Sequence, residues 1–276
     1  MRYVVNASDI NTNYLFFLPI INVIWHKYMG YAPVVVLVGE QEQVPAWLMS
    51  YIMSTSQVVI NMKHIIDHSG AVVAQSSRTF VAAEPIFQPD DYILTSDADM
   101  IPLSHQFFNP TFTKTIQLHN ANAYTAIGKD GHHPVDGATA AKFPLCYVGM
   151  PVSAWREVMN LETGSLQSEA DRQLASRPNY WGDDEEYFIA KLKNSRFWMS
   201  DLDFLLRGGF DRGYADGRLD RSSWQFNGKT NGCIDCHFMR PGHKHSSELL
   251  RMLRAFFLGD VPYFQEYVKE FMAKVN

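Results

Sequence analysis

The fold of this 276-residue chain is decided by residues 92–102, YILTSDADMIP. The apolar run from Tyr92 to Leu94 predicts a buried strand, and Pro102 stops it. Asp97 and Asp99 therefore stand at the exit of the strand, where open α/β sheets bind their ligands. Two carboxylates placed there can bind a hard divalent cation that also binds substrate phosphates. Acidic pairs also occur in solvated turns and helix caps, so the interpretation depends on the other motifs of the chain.

Strand-like and helix-like segments alternate over the first hundred residues. The continuous β-branched run 33–38 is typical of a strand buried on both faces. Such an alternation predicts an α/β fold with a mostly parallel sheet and helices on both faces. The predicted strands are 2–6, 33–38, 57–60 and 92–96, and the predicted helices are 11–28, capped by Asn11 or Thr12, 45–54 and 73–83.

The rest of the chain is less regular. The glycine-rich segment 208–232 is long, and long loops in compact domains often serve as lids. The pattern predicts strands at 122–127 and 144–148, a loop at 128–138, and helices at 153–160, 183–194, 246–258 and 261–274.

Composition narrows the classes of function. Hydrophobic residues make up 46% of the chain and charged residues 19%, enough for a large α/β core. The net charge of −5, without a basic stripe, argues against a nucleic-acid partner. Three cysteines are too few for a disulfide scaffold and favour a reducing compartment, so we expect a cytoplasmic protein. Residues 14–25 are apolar but too short to cross a bilayer, and the first residues do not form a signal peptide, so we expect no transmembrane segment.

A second motif, WGDDEE, occupies residues 181–186. Trp181 offers a flat apolar face on which a sugar ring can stack, and Gly182 permits close approach of a ligand. A carboxylate of this run that binds no metal could act as a general base on an acceptor hydroxyl. The alternative is an ordinary acid-rich first turn of a helix, which the helix dipole favours.

Residues 233–245, CIDCHFMRPGHKH, form a third cluster. Cys233 and Cys236 with nearby histidines could form a structural zinc site, although one cysteine pair within thirteen residues makes an unusual one. The other interpretation is that one histidine completes the metal site at the acidic pair. Arg240 and Lys244 could then offset the charge of a diphosphate leaving group.

Taken together, the motifs resemble those of the GT-A fold glycosyltransferases, from Val4 to Lys244. Residues 97–99 match the Asp-x-Asp metal and nucleotide-sugar site, and residues 181–186 match the Trp-Gly-…-Glu-Asp-Asp acceptor motif of inverting members. The compact size and residues 234–242, IDCHFMRPG, are similar to the small soluble glycosyltransferases of chlorella viruses, which would act in the host-cell cytoplasm. The spacing of the histidines departs from any one subfamily pattern, which leaves the choice of metal-binding histidine open.

The resemblance implies a Rossmann-like mixed sheet flanked by helices, in a single domain over 1–276. Its nucleotide-binding half would be 1–103, its acceptor-binding half 104–245, and its closing helices 246–276. It implies an inverting transfer from a UDP-sugar, such as UDP-xylose or UDP-rhamnose, to a glycan or glycoprotein acceptor, with Mn²⁺ or Mg²⁺ as cofactor. The metal ligands would be Asp97, Asp99 and His237, with His243 as second choice of histidine.

The same resemblance assigns roles to further residues. Asp184 would be the general base, with Asp183, which matches the Glu of the motif, and Glu185 as fallback candidates. Ser8 and Asp9 could equally cap a helix, Trp155 could equally belong to the core, and the other polar residues could simply lie on the surface. The donor-binding candidates are Ala7, Ser8, Asp9, Gln75, Arg78, Ser96, Ala98, Arg240 and Lys244, and the acceptor-binding candidates are Trp181, Gly182, Trp155 and Asp220.

Four other functions stay open from sequence. They are a retaining glycosyltransferase, an Asp-x-Asp phosphoryl-transfer enzyme, a non-catalytic sugar-binding or nucleotide-binding module, and a zinc-stabilised interaction domain. In phosphoryl-transfer enzymes the acidic motif usually ends the first strand near the N-terminus, whereas here it stands at residue 97.

Overall fold

The computed structural model describes residues 1–109, 114–118, 144–198, 200–204 and 217–275. The strands of the central sheet are β1 (Arg2–Asp9), β2 (Ala32–Val38), β3 (Val58–Met62), β4 (Tyr92–Asp97), β6 (Ile116–Leu118), β7 (Val148–Pro151) and β8 (Leu202–Phe204), in the order β3-β2-β1-β4-β7-β6-β8. Strand β1 runs parallel to β2 and β4, and β2 runs parallel to β3. Strand β7 is antiparallel to both β4 and β6, so the sheet is mixed. The predicted α/β class is confirmed.

Helices cover both faces of this sheet. They are α1 (Thr12–Leu15), α2 (Leu18–Ile24), α3 (Ala46–Thr55), α4 (Gly70–Phe80), α5 (His105–Phe108), α6 (Val152–Met159), α7 (Leu166–Leu174), α8 (Asp183–Lys193), α9 (Ser246–Phe256) and α10 (Val261–Val275). Alternate residues of each strand enter opposite cores, as the two-residue period of a strand requires. Val4 and Leu94 pack with α2, α3, α9 and α10, whereas Val5 and Ile93 pack with α4, α6, α7 and α8.

The predicted single helix over 11–28 is divided in the structure. Asn11 is the N-cap of α1, as expected, and its side chain accepts a hydrogen bond from the backbone N–H of Asn13. Helix α2 starts afresh at Leu18, with Pro19 in its first turn, where a missing N–H costs nothing. A π-helical turn, Trp25–Met29, follows and ends at Gly30, whose φ of 76° suits glycine.

Other elements also begin or end at residues that differ from the predicted ones. The strand predicted at 144–148 begins only at Val148. The strand predicted at 122–127, the loop at 128–138 and part of the segment 208–232 lie outside the described residues. Within the described ranges, no helix combines the length and the apolar character needed to cross a membrane.

A second, three-stranded sheet was not predicted. It consists of β5 (Met100–Pro102), β9 (Arg218–Asp220) and β10 (Asp235–His237), in the order β5-β10-β9. Arg218 and the fully buried Asp235 join β9 to β10 through two hydrogen bonds of 2.9 and 2.7 Å. Because β5 follows β4 after two residues, the acidic pair is the joint between the two sheets.

Candidate functional site

A cleft with an empty volume of about 750 Å³ lies at the carboxyl ends of β1 and β4, beside the joint between the sheets. Most of the residues proposed from sequence meet in it. The predicted residues that line it are Ala7, Ser8, Asp9, Gln75, Arg78, Asp97, Ala98, Asp99, Trp181, Glu185, His237 and Arg240. The structure therefore brings together residues from all three sequence motifs.

The end of β1 and the start of α4 form one wall of the cleft. Asp9 accepts a hydrogen bond from the backbone N–H of Asn11 at 3.2 Å, which fixes the turn after the strand. Helix α4 approaches closely because it begins with Gly70, where an added Cβ would come within 3.0 Å of the Asp9 Cβ. Gln75 and Arg78 follow on the same helix and face the cleft.

Arg78 links two motifs that are far apart in sequence. Its guanidinium forms an ion pair with Asp97 and a second one, at 3.1 Å, with Asp184. The backbone carbonyl of Ser96 accepts a hydrogen bond from Nη1 of Arg78 at 3.3 Å. Ser96 is itself buried, so its contribution is this backbone group and not a side chain exposed to the cleft. Arg78 thus fixes the end of β4 against the start of α8.

This arrangement places Asp184, the predicted general base, behind the wall of the cleft. The Asp184 side chain is 2% exposed, faces Arg78 and is not part of the cleft wall. Burial raises the pKa of Asp184 above its ordinary value, and the charge of Arg78 opposes that shift. A general base must reach the proton that it removes, and Asp184 is shielded from the cleft. Asp183 is also buried, in an ion pair with Arg177, whereas Glu185 lines the cleft.

Asp99 is the meeting point of three cationic or hydrogen-bonding groups. Its Oδ2 lies 3.0 Å from Nη1 of Arg221, 3.2 Å from Nε of Arg240 and 3.3 Å from Nε2 of His237. The other ring nitrogen of His237, Nδ1, lies 3.4 Å from Oδ2 of Asp220. Burial lowers the pKa of His237, but the contact with Asp99 outweighs it and leaves that pKa raised.

The residue types around Asp99 suit a divalent cation. Carboxylates favour Mg²⁺ and Mn²⁺, and a carboxylate behind a histidine, as Asp220 lies behind His237, is usual for metal-binding histidines. Among the described residues, however, no group of three or more His, Cys, Asp or Glu side chains lies close enough to hold a metal. Arginines pair with both carboxylates of the acidic motif, which explains why these ligands are not gathered around one point.

The cysteine pair does not belong to any cluster of three or more metal-binding side chains among the described residues, so nothing there forms a zinc site. Cys233 and Cys236 are free and buried in the core. Burial raises the pKa of Cys233 to about 11 and that of Cys236 well above its ordinary value. Successive residues of β10 point to opposite sides, so Cys236 enters the core and His237 reaches the cleft.

Two predicted residues near the end of the third motif lie elsewhere. The His243 ring packs between Phe16 and Phe271, with ring centroids 6.1 and 5.6 Å away, and burial lowers its pKa. His243 is thus a core residue and does not line the cleft that contains Asp97 and Asp99. Lys244 is exposed and does not line the cleft, so Arg240 alone of the two predicted cations reaches it.

Of the predicted acceptor-binding residues, some lie at the cleft and others lie elsewhere in the fold. Trp181 is 58% exposed and lines the cleft, as expected of a residue that stacks on a ligand. Gly182 has a φ of 89°, so glycine is favoured at the turn that opens α8. Trp155 is a core residue: it packs on Phe188, and its indole N–H donates to the carbonyl of Ile93 at 3.0 Å. Trp155 therefore takes the core position that the sequence allowed as an alternative, and it does not line the cleft.

Sequence reasoning missed three residues of the cleft wall. Ala71 and Ala74 precede Arg78 by seven and four residues, so helical spacing from Arg78 could have found them. The guanidinium of Arg240 lies over the Tyr14 ring at 5.0 Å, a contact between distant segments with no local signal. Arg221 adjoins the predicted acceptor residue Asp220 and also lines the cleft. The three missed residues are Tyr14, Ala71 and Ala74.

No family model matches the chain, and none of the curated proteins does. Among solved structures, the galactosyltransferase LgtC, in complex with donor and acceptor sugar analogs, is similar over 98% of this chain and 96% of its own, at 13% identity and a TM-score of 0.49. The glycosyltransferase GlyE of Streptococcus pneumoniae is similar over 99% of this chain and 63% of its own, at 11% identity and a TM-score of 0.43. The bifunctional glycosyltransferase WbbM covers 86% of this chain and 45% of its own, at 13% identity and a TM-score of 0.44. At these identities and TM-scores the similarity does not define the function of this chain.

Proposed function

We propose that this protein is a metal-dependent GT-A glycosyltransferase that transfers a sugar from a UDP-sugar to a hydroxyl group of a glycan or glycoprotein. One observation carries the proposal. The acidic pair, His237 and three arginines meet in a single cleft at the carboxyl ends of parallel strands. Acidic and basic groups side by side suit a metal-bound diphosphate, which needs both.

The donor would lie along the wall formed by β1 and α4. Ser8, Asp9 and Gln75 offer hydrogen-bonding groups for the nucleoside at the end of β1. Arg221 and Arg240 stand next to Asp99, where they can balance the charge of a diphosphate. Asp97, Asp99 and His237 would hold Mn²⁺ or Mg²⁺, which when bound supplies a Lewis acid for the departing diphosphate.

The acceptor would approach from the start of α8. Trp181 offers an exposed aromatic face beside the cleft. Glu185, in the first turn of α8, is the carboxylate of this motif that reaches the cleft, and it would take the proton from the attacking hydroxyl. Attack from the side opposite the leaving group inverts the anomeric configuration. Arg78 and Asp184 stand behind this arrangement and hold the ends of β4 and α8 together.

Thermal unfolding with a panel of ligands tests the donor site. The panel contains UDP, other nucleotides, and UDP-sugars including UDP-xylose and UDP-rhamnose, each with and without Mn²⁺. A ligand that binds only the folded protein raises the melting temperature. We expect a Mn²⁺-dependent increase with UDP or a UDP-sugar that Asp97→Ala/Asp99→Ala abolishes and Asp90→Ala, an exposed control, retains. No increase with any nucleotide would overturn the proposal, and hydrolysis of an aryl phosphate would favour a phosphoryl-transfer enzyme.

Two further measurements test the chemistry. The anomeric configuration of the product, followed by NMR, should be inverted; a retained configuration would exclude direct attack. Glu185→Gln should lower kcat by about a hundredfold or more and leave UDP affinity nearly unchanged, because general-base catalysis contributes on this scale. Unchanged turnover in Glu185→Gln would remove Glu185 from the mechanism.

A further inference from the structure

Two arginines from separate segments bind the same oxygen of Asp99. Arg221 follows β9 and Arg240 follows β10, and one donor of each points at Oδ2. The Asp99 side chain is only 6% exposed, so its charge requires such partners. The arginine side chains are 31% and 29% exposed, which leaves part of each guanidinium accessible.

The two arginines also border a second groove next to the cleft. This groove has an empty volume of about 760 Å³, and its other wall residues are Asn11, Asn13, Tyr14 and Pro241. Both arginines therefore line two adjoining open spaces. They have room to leave Asp99 without a rearrangement of the core.

The Asp99 carboxylate cannot bind its present partners and a divalent cation at full strength at the same time. A carboxylate oxygen that accepts from two arginines and faces His237 has little capacity left for a cation. Binding of a divalent cation at Asp99 must therefore loosen the arginines, which then carry unbalanced positive charge beside the place where we expect a diphosphate.

We propose that Arg221 and Arg240 are exchangeable counterions. They neutralise Asp99 in the substrate-free protein, and they pair with the donor diphosphate once a divalent cation has taken Asp99. This inference rests on the proposed function and adds the exchange of both arginines between Asp99 and the diphosphate. It also means that the cation and the nucleotide strengthen the binding of each other through the same pair of side chains.

The proposal predicts that a single substitution changes the affinity for Mn²⁺ and the affinity for UDP in opposite directions. Arg221→Gln removes one counterion of Asp99, so Mn²⁺ without nucleotide should bind more tightly, by up to about fivefold, the range of a partly exposed ion pair. With saturating Mn²⁺, UDP should bind about tenfold to hundredfold more weakly, the cost of a lost hydrogen bond to a charged group. Arg240→Gln should shift both affinities in the same directions.

Isothermal titration calorimetry on the full chain measures both affinities. Arg254→Gln, an exposed arginine on α9, is the matched control and should change neither. A loss of both affinities in Arg221→Gln would indicate a merely structural role and overturn the inference, as would two unchanged affinities or wild-type protein that does not bind Mn²⁺. If wild type binds Mn²⁺ but no UDP, the proposed function fails, whereas tighter Mn²⁺ binding by Arg221→Gln would still support the pairing of Arg221 with Asp99.

Discussion

Replacement of Arg78 by methionine should destabilise the protein by about 3–5 kcal/mol near neutral pH, because it breaks a buried ion pair from one side. The Arg78 side chain is 5% exposed and that of Asp184 is 2% exposed. Without the guanidinium, Asp184 becomes an uncompensated buried carboxylate. Asp97 adds little to this cost, since its side chain is 37% exposed and water screens its charge.

A double-mutant cycle adds a second variant, Asp184→Asn, which removes the negative charge that Arg78 balances. Asp184→Asn in the Arg78→Met background should recover about 1–3 kcal/mol, the range of coupling between residues in contact. Urea unfolding gives each free energy, provided that the slope of the transition is unchanged. Arg254→Met, at an exposed position, should change the free energy of unfolding by less than about 0.5 kcal/mol.

The loss of stability caused by Arg78→Met should change with pH in a definite direction. Burial already raises the pKa of Asp184, and loss of Arg78 should raise it further. An acid whose pKa is raised in the folded state loses stability as the pH rises through that pKa. The deficit of Arg78→Met should therefore shrink on acidification. A cost below about 1 kcal/mol, or rescue by Asp97→Asn in place of Asp184→Asn, would refute the reasoning.

Three further predictions concern packing, pH and the acceptor. Gly149→Ala should cost about 1–3 kcal/mol in urea unfolding, since an added Cβ would lie 1.9 Å from the Tyr92 hydroxyl, whereas Gly164→Ala, with nothing within 4 Å, should cost little. Burial alone would raise the pKa of Glu169, but hydrogen-bond donors on α7 outweigh burial and lower it. Glu169→Gln should therefore destabilise the protein by about 1 kcal/mol at neutral pH. The difference in unfolding free energy between wild type and variant should vanish as the pH falls through the pKa of Glu169 in the folded state. Trp181→Ala should raise the acceptor KM severalfold and leave both UDP affinity and the melting temperature nearly unchanged, because the indole is 58% exposed; an equal loss of UDP affinity would contradict an acceptor role.

The long strands and helices were predictable because their signals are local. The run 33–38 predicted β2 within one residue, since a strand buried on both faces must be apolar throughout. The acidic first turn at 183 located the start of α8 for an equally local reason, the interaction of carboxylates with the helix dipole. The three-residue strands of the small sheet have no such signal, because they are too short to show a period.

The acidic run of α8 shows where sequence reasoning about the site reached its limit. Asp183, Asp184 and Glu185 point in different directions around a helix, about a third of a turn apart. The sequence establishes that acids open the helix but not which one faces the cleft. That choice depends on how α8 packs, and the buried Arg78 selects Asp184 as its partner. The sequence likewise did not show that His243 enters the core and that Lys244 stays exposed outside the cleft.

The sequence by itself determined the α/β class, the place of the acidic pair at the end of β4 and three motifs that contribute residues to the cleft. These features follow from apolar periodicity, turn residues and short motifs, all of which act over a few neighbouring residues. The tertiary structure alone decided the second sheet, the partners of Asp97 and Asp99, and the exposure of each acid. An ion pair such as Arg221 with Asp99 joins residues 122 positions apart, and only the folded chain brings their charges within reach of each other.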